Sequence, residues 1–172
     1  MQATGNVSPQ IQRGRDEGLV DPAMKLNWVR LMLRPAAAQQ GELNQLLLEQ
    51  QKPGSPNFRK WLTPEQFADR FGASRQDIDK ITGWMRAQGF EAIRIARGRR
   101  FIVFNATAGQ IQSALKTELH YIRVDGELHF ANTAEPAVPA AIQPLVLGFM
   151  GLDDFRPKAV ARGKSVKAHY TG

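Results

Sequence analysis

The side chains best placed by type to do chemistry are three histidines, His120, His129 and His169, and an arginine-rich run, Arg97-Gly98-Arg99-Arg100. His120 and His129 flank an Asp125-Gly126 pair, the residue types of a two-residue hairpin turn, so pairing across it puts both imidazoles on one face. Two imidazoles could begin a metal site or a proton-driven switch. Only Glu127 accompanies them in the local sequence, and a two-ligand zinc site would be incomplete. They are therefore expected to face solvent or a partner, with no metal. The adjacent acids Asp153-Asp154 suit a solvated surface better than acid–base catalysis. Neither a nucleophile elbow nor a phosphate-binding glycine loop occurs, and the absence of cysteine excludes disulfides, thiolate metal sites and a thiol nucleophile. No catalytic constellation emerges.

The run Arg97-Gly98-Arg99-Arg100-Phe101-Ile102-Val103-Phe104 half-matches the RNA-recognition signature of a basic residue and glycine followed by aromatics. Arg99 and Arg100 stand where that signature needs an aromatic and a small residue. Val29-Arg30-Leu31-Met32-Leu33 supplies no second aromatic platform for base stacking. A buried central strand behind an exposed basic turn is the better-supported reading. The formal charge of +7 keeps an anionic partner in view, whether nucleic acid, an acidic protein surface or a membrane face.

The elements that must carry these groups follow from periodicity. Residues 1–24 are polar and aperiodic and are expected to be a mobile lead-in. Residues 26–33 alternate as a strand, with Val29, Leu31 and Leu33 on one face and Trp28, Arg30 and Met32 on the other. Helical spacing runs from 36 to 51 until Pro53-Gly54-Ser55-Pro56 breaks it. The most instructive local signal comes next. In Trp61-Leu62-Thr63-Pro64-Glu65-Gln66-Phe67, Thr63 can cap a helix, Pro64 fits its first position, Gln66 can close a capping box, and Leu62 with Phe67 can staple the start. That helix is expected to end at Phe71, with Gly72 as a left-handed terminal residue. Ser74 caps a longer helix with Ile78, Ile81 and Met85 inward. Strands over 90–95 and 100–105 follow, then a helix begun by Thr107 and Gln110, then the 119–124 and 127–131 hairpin. In it Tyr121 faces Phe130 and Ile122 faces His129.

The order strand, helix, strand, strand, helix, strand predicts an α+β, ferredoxin-like antiparallel sheet with helices on one face, plus an extra C-terminal hairpin strand. Residues 25–152 make up that domain, and 153–172 form a basic linker. The opening Met1–Val7 has no basic-then-apolar run, so no signal peptide is expected in this chain, and no apolar run approaches a membrane span.

The motifs Pro53, Ser55-Pro56-Asn57-Phe58, Trp61 through Phe67 and Phe71-Gly72 closely resemble the activation domain of the sedolisin/kumamolisin serine-carboxyl peptidases. The likeness continues through Trp84, Gly89-Phe90, Thr107 with Gln110, His129-Phe130-Ala131-Asn132, Pro136, Pro139 and Gly151-Leu152, covering about residues 26–155 in order. Leu115 departs from it, since such domains often carry an aromatic there. The resemblance implies the prodomain of a secreted, acid-acting peptidase, which assists folding and blocks the active site until removed. In that family the prodomain sheet packs on the catalytic domain and the following linker enters the substrate cleft. The Glu-Asp-Ser triad, the oxyanion-hole Asp and the calcium site all belong to the catalytic domain, so this chain is expected to be catalytically silent and to hold no cofactor. The implied partner is the cognate peptidase domain, with the chain a monomer and neither nucleic acid nor membrane favoured. Arg94, Arg97, Arg99 and Arg100 would pair with carboxylates of that peptidase, with His120 and His129 as further partner-facing groups. Trp61, Leu62, Thr63, Pro64, Gln66, Phe67 and Gly72 would be structural. An RNA-binding ferredoxin-like module and a stand-alone prodomain without a peptidase remain the alternatives.

Overall fold

The computed structural model describes residues 5–155. In chain order the elements are a 3-10 turn (Pro9–Arg13), β1 (Arg15–Leu19), β2 (Lys25–Leu33), α1 (Ala37–Gln51), α2 (Pro64–Phe71), α3 (Arg75–Ala87), β3 (Glu91–Ile95), β4 (Phe101–Thr107), α4 (Ala108–Leu115), β5 (Leu119–Val124), β6 (Glu127–Asn132), a second 3-10 turn (Gln143–Leu145) and β7 (Val146–Met150). They build two antiparallel sheets, β3-β4-β2-β7 and β1-β5-β6. The α+β class and the ferredoxin-like order hold. The strand that completes the larger sheet is β7 and not the hairpin, which instead forms the second sheet with β1.

Alternation in β2 does what the sequence predicts. Leu26, Val29, Leu31 and Leu33 are buried. They meet Ile102, Phe104 and Ala106 of β4, and the layer is closed by Ile78, Ile81 and Met85 of α3 and Ile111, Ala114 and Leu115 of α4. Phe90 stacks on Phe104 with ring centres 4.6 Å apart. Each such side chain, fully buried, contributes about 1.5–3 kcal/mol, so this one layer carries the fold. In the smaller sheet the two-residue turn has Asp125 at φ 52 and Gly126 at φ 86, the doubly positive geometry that sets hairpin register. Tyr121 accordingly faces Phe130, and Ile122 faces His129.

Three expectations need correction. The N-terminal residues that the structure describes are not a loose lead-in. β1 pairs with β5, the buried Val20 donates its N–H to the Leu119 carbonyl, and the Glu135 carboxylate accepts the N–H groups of Gly5 and Asn6. The Asn6 side-chain oxygen accepts the Phe149 N–H of β7. Backbone pairing and polar anchors hold this arm, and neither leaves an apolar period to read. Second, the linker does not begin at 153. Asp154 donates its N–H to the Phe130 carbonyl and accepts the Phe130 N–H on its carboxylate, so the chain stays bound to β6 through Phe155. Residues 156–172 lie outside the described residues, as do residues 1–4.

The third correction concerns Gly72. It is extended, at φ −85 and ψ 166, and not left-handed. A Cβ there would lie 2.7 Å from the Ala68 carbonyl oxygen, 2.8 Å from that of Gly98 and 2.9 Å from Arg99 Cβ. Glycine is required because the β3–β4 turn passes against the end of α2.

Candidate functional site

The capping box at α2 forms as spaced. The Thr63 hydroxyl accepts the Gln66 N–H at 3.2 Å, and the Gln66 side chain accepts the Thr63 N–H at 2.9 Å, with Pro64 opening the helix. Phe67 packs toward Phe71, with ring centres 5.4 Å apart, and Leu62 is half-buried beside the cap. Trp61 is 71% exposed.

The arginine run meets this helix. Arg97 pairs with Glu65 at 2.7 Å, and its guanidinium holds the Glu65 carboxyl below its ordinary value. Arg99 pairs with Asp69 at 2.9 Å and donates to the Ala68 carbonyl, while Arg100 lies 6.0 Å from the Phe67 ring centre. Three of the four arginines expected at a partner surface are thus engaged with α2. Phe104, the second aromatic of the RNA-like run, is buried in the core.

Arg94 stands apart, on the side of the larger sheet that carries no helix. Its guanidinium lies 5.6 Å from the Trp28 ring centre, and on the same face Arg30 lies 5.8 Å from that of Phe101. Register places Arg30, Arg94, Val103 and Met150 together on this side, with Met32 beside Phe101. Trp28 is 62% exposed and Met150 52%. The result is an open, apolar floor carrying two cations.

Trp28 is presented by strain. Its φ is 64, a left-handed value uncommon for a bulky side chain, and its N–H is held at 3.0 Å by the side-chain oxygen of Asn105. The β2–β4 register slips between Leu26 and Val29, so the bulge turns the indole onto the open face. Ala92 repeats the device on the other side of β4, at φ 50, where the β3 register slips between Glu91 and Arg94. Alternation alone assigned Trp28 to the outward side of its strand, but nothing in the sequence singled it out. A bulge leaves no mark on hydrophobic period.

The histidines do share one face of β5-β6, and there the structure adds carboxylates that local sequence could not supply. His120 Nδ1 lies 2.8 Å from both oxygens of Asp16 on β1, and Nε2 lies 3.4 Å from Glu118. His129 Nδ1 lies 3.1 Å from Asp154 and Nε2 3.7 Å from Glu127, and its ring packs 4.7 Å from that of Phe155. The Gly18 N–H and then the His120 ring hold the Asp16 carboxyl below its ordinary value. Burial, with Asp154 alongside, raises that of Asp153. Among the described residues no group of three or more such side chains is placed to hold a metal ion, and no helix is long and apolar enough to cross a membrane.

Residues 12–155 match the family model described as Pro-kumamolisin, activation domain. The chain is 34% identical over 106 residues to xanthomonalisin of Xanthomonas sp. (strain T-22), covering 62% of this chain and 13% of that protein. It is 29% identical over 126 residues to sedolisin of Pseudomonas sp. (strain 101), covering 73% of this chain and 21% of that one. Against kumamolisin of Bacillus sp. (strain MN-32) identity is 29% over 156 residues, or 90% of this chain and 27% of the relative. The chain therefore spans between 13% and 27% of the length of these relatives.

Proposed function

The chain belongs to the pro-kumamolisin activation-domain family, and from that premise we propose that it is the propeptide of a secreted, acid-acting serine-carboxyl peptidase. In this reading it docks on the catalytic domain as an inhibitor and folding aid and is removed on acid activation. The carrying observation is the open face of the β3-β4-β2-β7 sheet, where exposed Trp28 and Met150 lie beside Arg94 and Arg30. An aromatic flanked by cations and surrounded by apolar side chains has the composition of an interface core, and such anchors carry most of a binding energy.

The partner surface suited to this face is apolar with carboxylates at its rim. Ion pairs between Arg30 or Arg94 and those carboxylates form while the acids are ionised. They are lost as pH falls through the acids' pKa values, which weakens docking in acid. Arg97 and Arg99 contribute indirectly, by keeping α2 against the β3–β4 turn. No catalytic role falls to this chain, and calcium would belong to the peptidase domain.

Adding the purified chain to a mature peptidase of this family, such as xanthomonalisin, tests the reading. Inhibition near neutral pH that weakens toward acid is expected. Lack of inhibition at micromolar chain, or inhibition that tightens in acid, would overturn it.

A further inference from the structure

The N-terminal arm around residues 11–16 and the exit segment of the described chain are both fastened to one face of the smaller sheet. Ile11, in the N-terminal 3-10 turn, and Phe155, at the exit, pack on the same small cluster of Ile122, Val124 and Ala131. A histidine stands at each attachment: His120 meets Asp16 of the arm, and His129 meets Asp154 of the exit. Each imidazole has a second carboxylate near its other nitrogen, Glu118 for His120 and Glu127 for His129. Both imidazole side chains are more than four-fifths covered, at 17% and 19% exposure. The pair Arg123 and Glu17, 2.6 Å apart, neutralises itself nearby.

We propose that this face is an acid-tightened clasp: His129 fastens the exit segment Asp154-Phe155, and His120 fastens the N-terminal arm, most firmly in mildly acidic solution. The argument is electrostatic. Near neutral pH an unprotonated imidazole can still donate from one ring nitrogen to a carboxylate, which closes the clasp with a hydrogen bond alone. Imidazoles in general gain their proton near pH about 6.5 and carboxylates near about 4. A protonated imidazole between two ionised carboxylates makes a charge-assisted bond in place of a neutral one. Below the carboxylate range the anions are lost and the charged rings oppose closure. Burial, with Asp154 alongside, raises the half-buried Asp153 carboxyl above its ordinary value, so its protonation also favours the packed exit. Acidification thus tightens the exit and then frees it.

The clasp goes beyond the docking function. Its use in holding back the segment that leads onward rests on the propeptide reading, but its test needs this chain alone. Hydrogen exchange at single amides, corrected for the intrinsic rate, would be followed at pH 7.5, 5.5 and 3. The diagnostic amides are Phe130, which donates to Asp154, and Asp154, which donates to the Phe130 carbonyl. Their protection is expected to rise roughly two- to fivefold from pH 7.5 to 5.5, the range of a partly exposed ion pair, and to fall again by pH 3. His129→Gln, which keeps hydrogen bonding but cannot take up a charge, should remove the rise, as should Asp154→Asn. Amides of β2 and β4 should not share it. A profile that follows those core amides, or a rise that survives His129→Gln, overturns the clasp. Failure of the inhibition assay with this profile intact would count against the propeptide reading alone.

Discussion

Arg99 of the β3–β4 turn pairs with Asp69 of α2 at 2.9 Å, across 30 residues of chain, and the same guanidinium donates to the Ala68 carbonyl. The basic turn and the capped helix, separate signals in the sequence, are therefore one structural unit. The Arg99 side chain is only 17% exposed, so its removal strips a charge-assisted hydrogen bond and packing from a mostly covered site, although the Ala68 carbonyl keeps the Gly72 N–H. Arg99→Ala is expected to cost about 1–3 kcal/mol in urea unfolding. Arg97→Ala, at a largely exposed pair with Glu65, should stay within about 0.5 kcal/mol. Equal effects of the two would show that the pair with α2 is a surface contact only.

Gly72 is the other half of that junction. Its backbone is extended and would suit any residue, so the cost of a side chain is purely one of space. A methyl group would meet two backbone oxygens inside 3 Å, and backbone yields less readily than a side-chain tip. Gly72→Ala should destabilise by about 2–3 kcal/mol, as overpacking of a close contact does. A variant as stable as the parent would mean that the turn and helix can separate without loss.

How far the fold was legible depends on what kind of interaction specifies each part. Thr63, Pro64 and Gln66 act within four residues, and Asp125-Gly126 within two, so both the helix start and the hairpin register were readable. The alternation of Val29, Leu31 and Leu33 likewise located a core strand. Long-range polar pairing was not readable. Arg15–Leu19 is a strand because β5 offers it an edge and because Glu17 and Asp16 find Arg123 and His120 more than 100 residues away. β7 is not legible in the sequence because its five residues, Val-Leu-Gly-Phe-Met, carry no clean alternation and take their place from β2. The arginines were readable as a cluster, but whether each faced a partner or α2 depended on the fold.

The N-terminal pairs make stability depend on pH with a definite sign. Asp16 and Glu17 both have folded pKa values held below their ordinary 3.8 and 4.5, Asp16 chiefly by the Gly18 N–H and Glu17 by Arg123. A lowered carboxyl pKa contributes stability that is fully present above the ordinary value and is lost as pH falls through the folded one. Asp153 runs the other way, since its raised pKa means that protonation favours the folded exit. Urea midpoints should therefore hold or rise slightly from pH 7 to about pH 5, as the clasp tightens, and decline below about pH 4.5, the carboxylate range. In Asp16→Asn and Glu17→Gln the decline should be shallower. A decline of unchanged steepness in both variants would place the acid sensitivity elsewhere.

Trp28 offers the sharpest separation of docking from folding. At φ 64 the indole is held in a conformation that costs a non-glycine residue roughly 1 kcal/mol or more, and it buries little within the domain, being 62% exposed. A residue that is strained and exposed at once is not there for the stability of the isolated domain. Trp28→Gly relieves the backbone, so unfolding should show a chain as stable as the parent or up to about 1 kcal/mol more stable. Trp28→Phe keeps the strain and most of the ring. Against a mature family peptidase, Trp28→Gly should lose inhibition by at least about tenfold, as the removal of an aromatic anchor does, and Trp28→Phe should lose less. Arg94→Ala should fall between them near neutral pH and converge with the parent in acid, where the partner's carboxylates are protonated and Arg94 has lost its charge partner. If Trp28→Gly were destabilised and still inhibited fully, the indole would be a structural element of the sheet and the docking face would have to be sought on another surface.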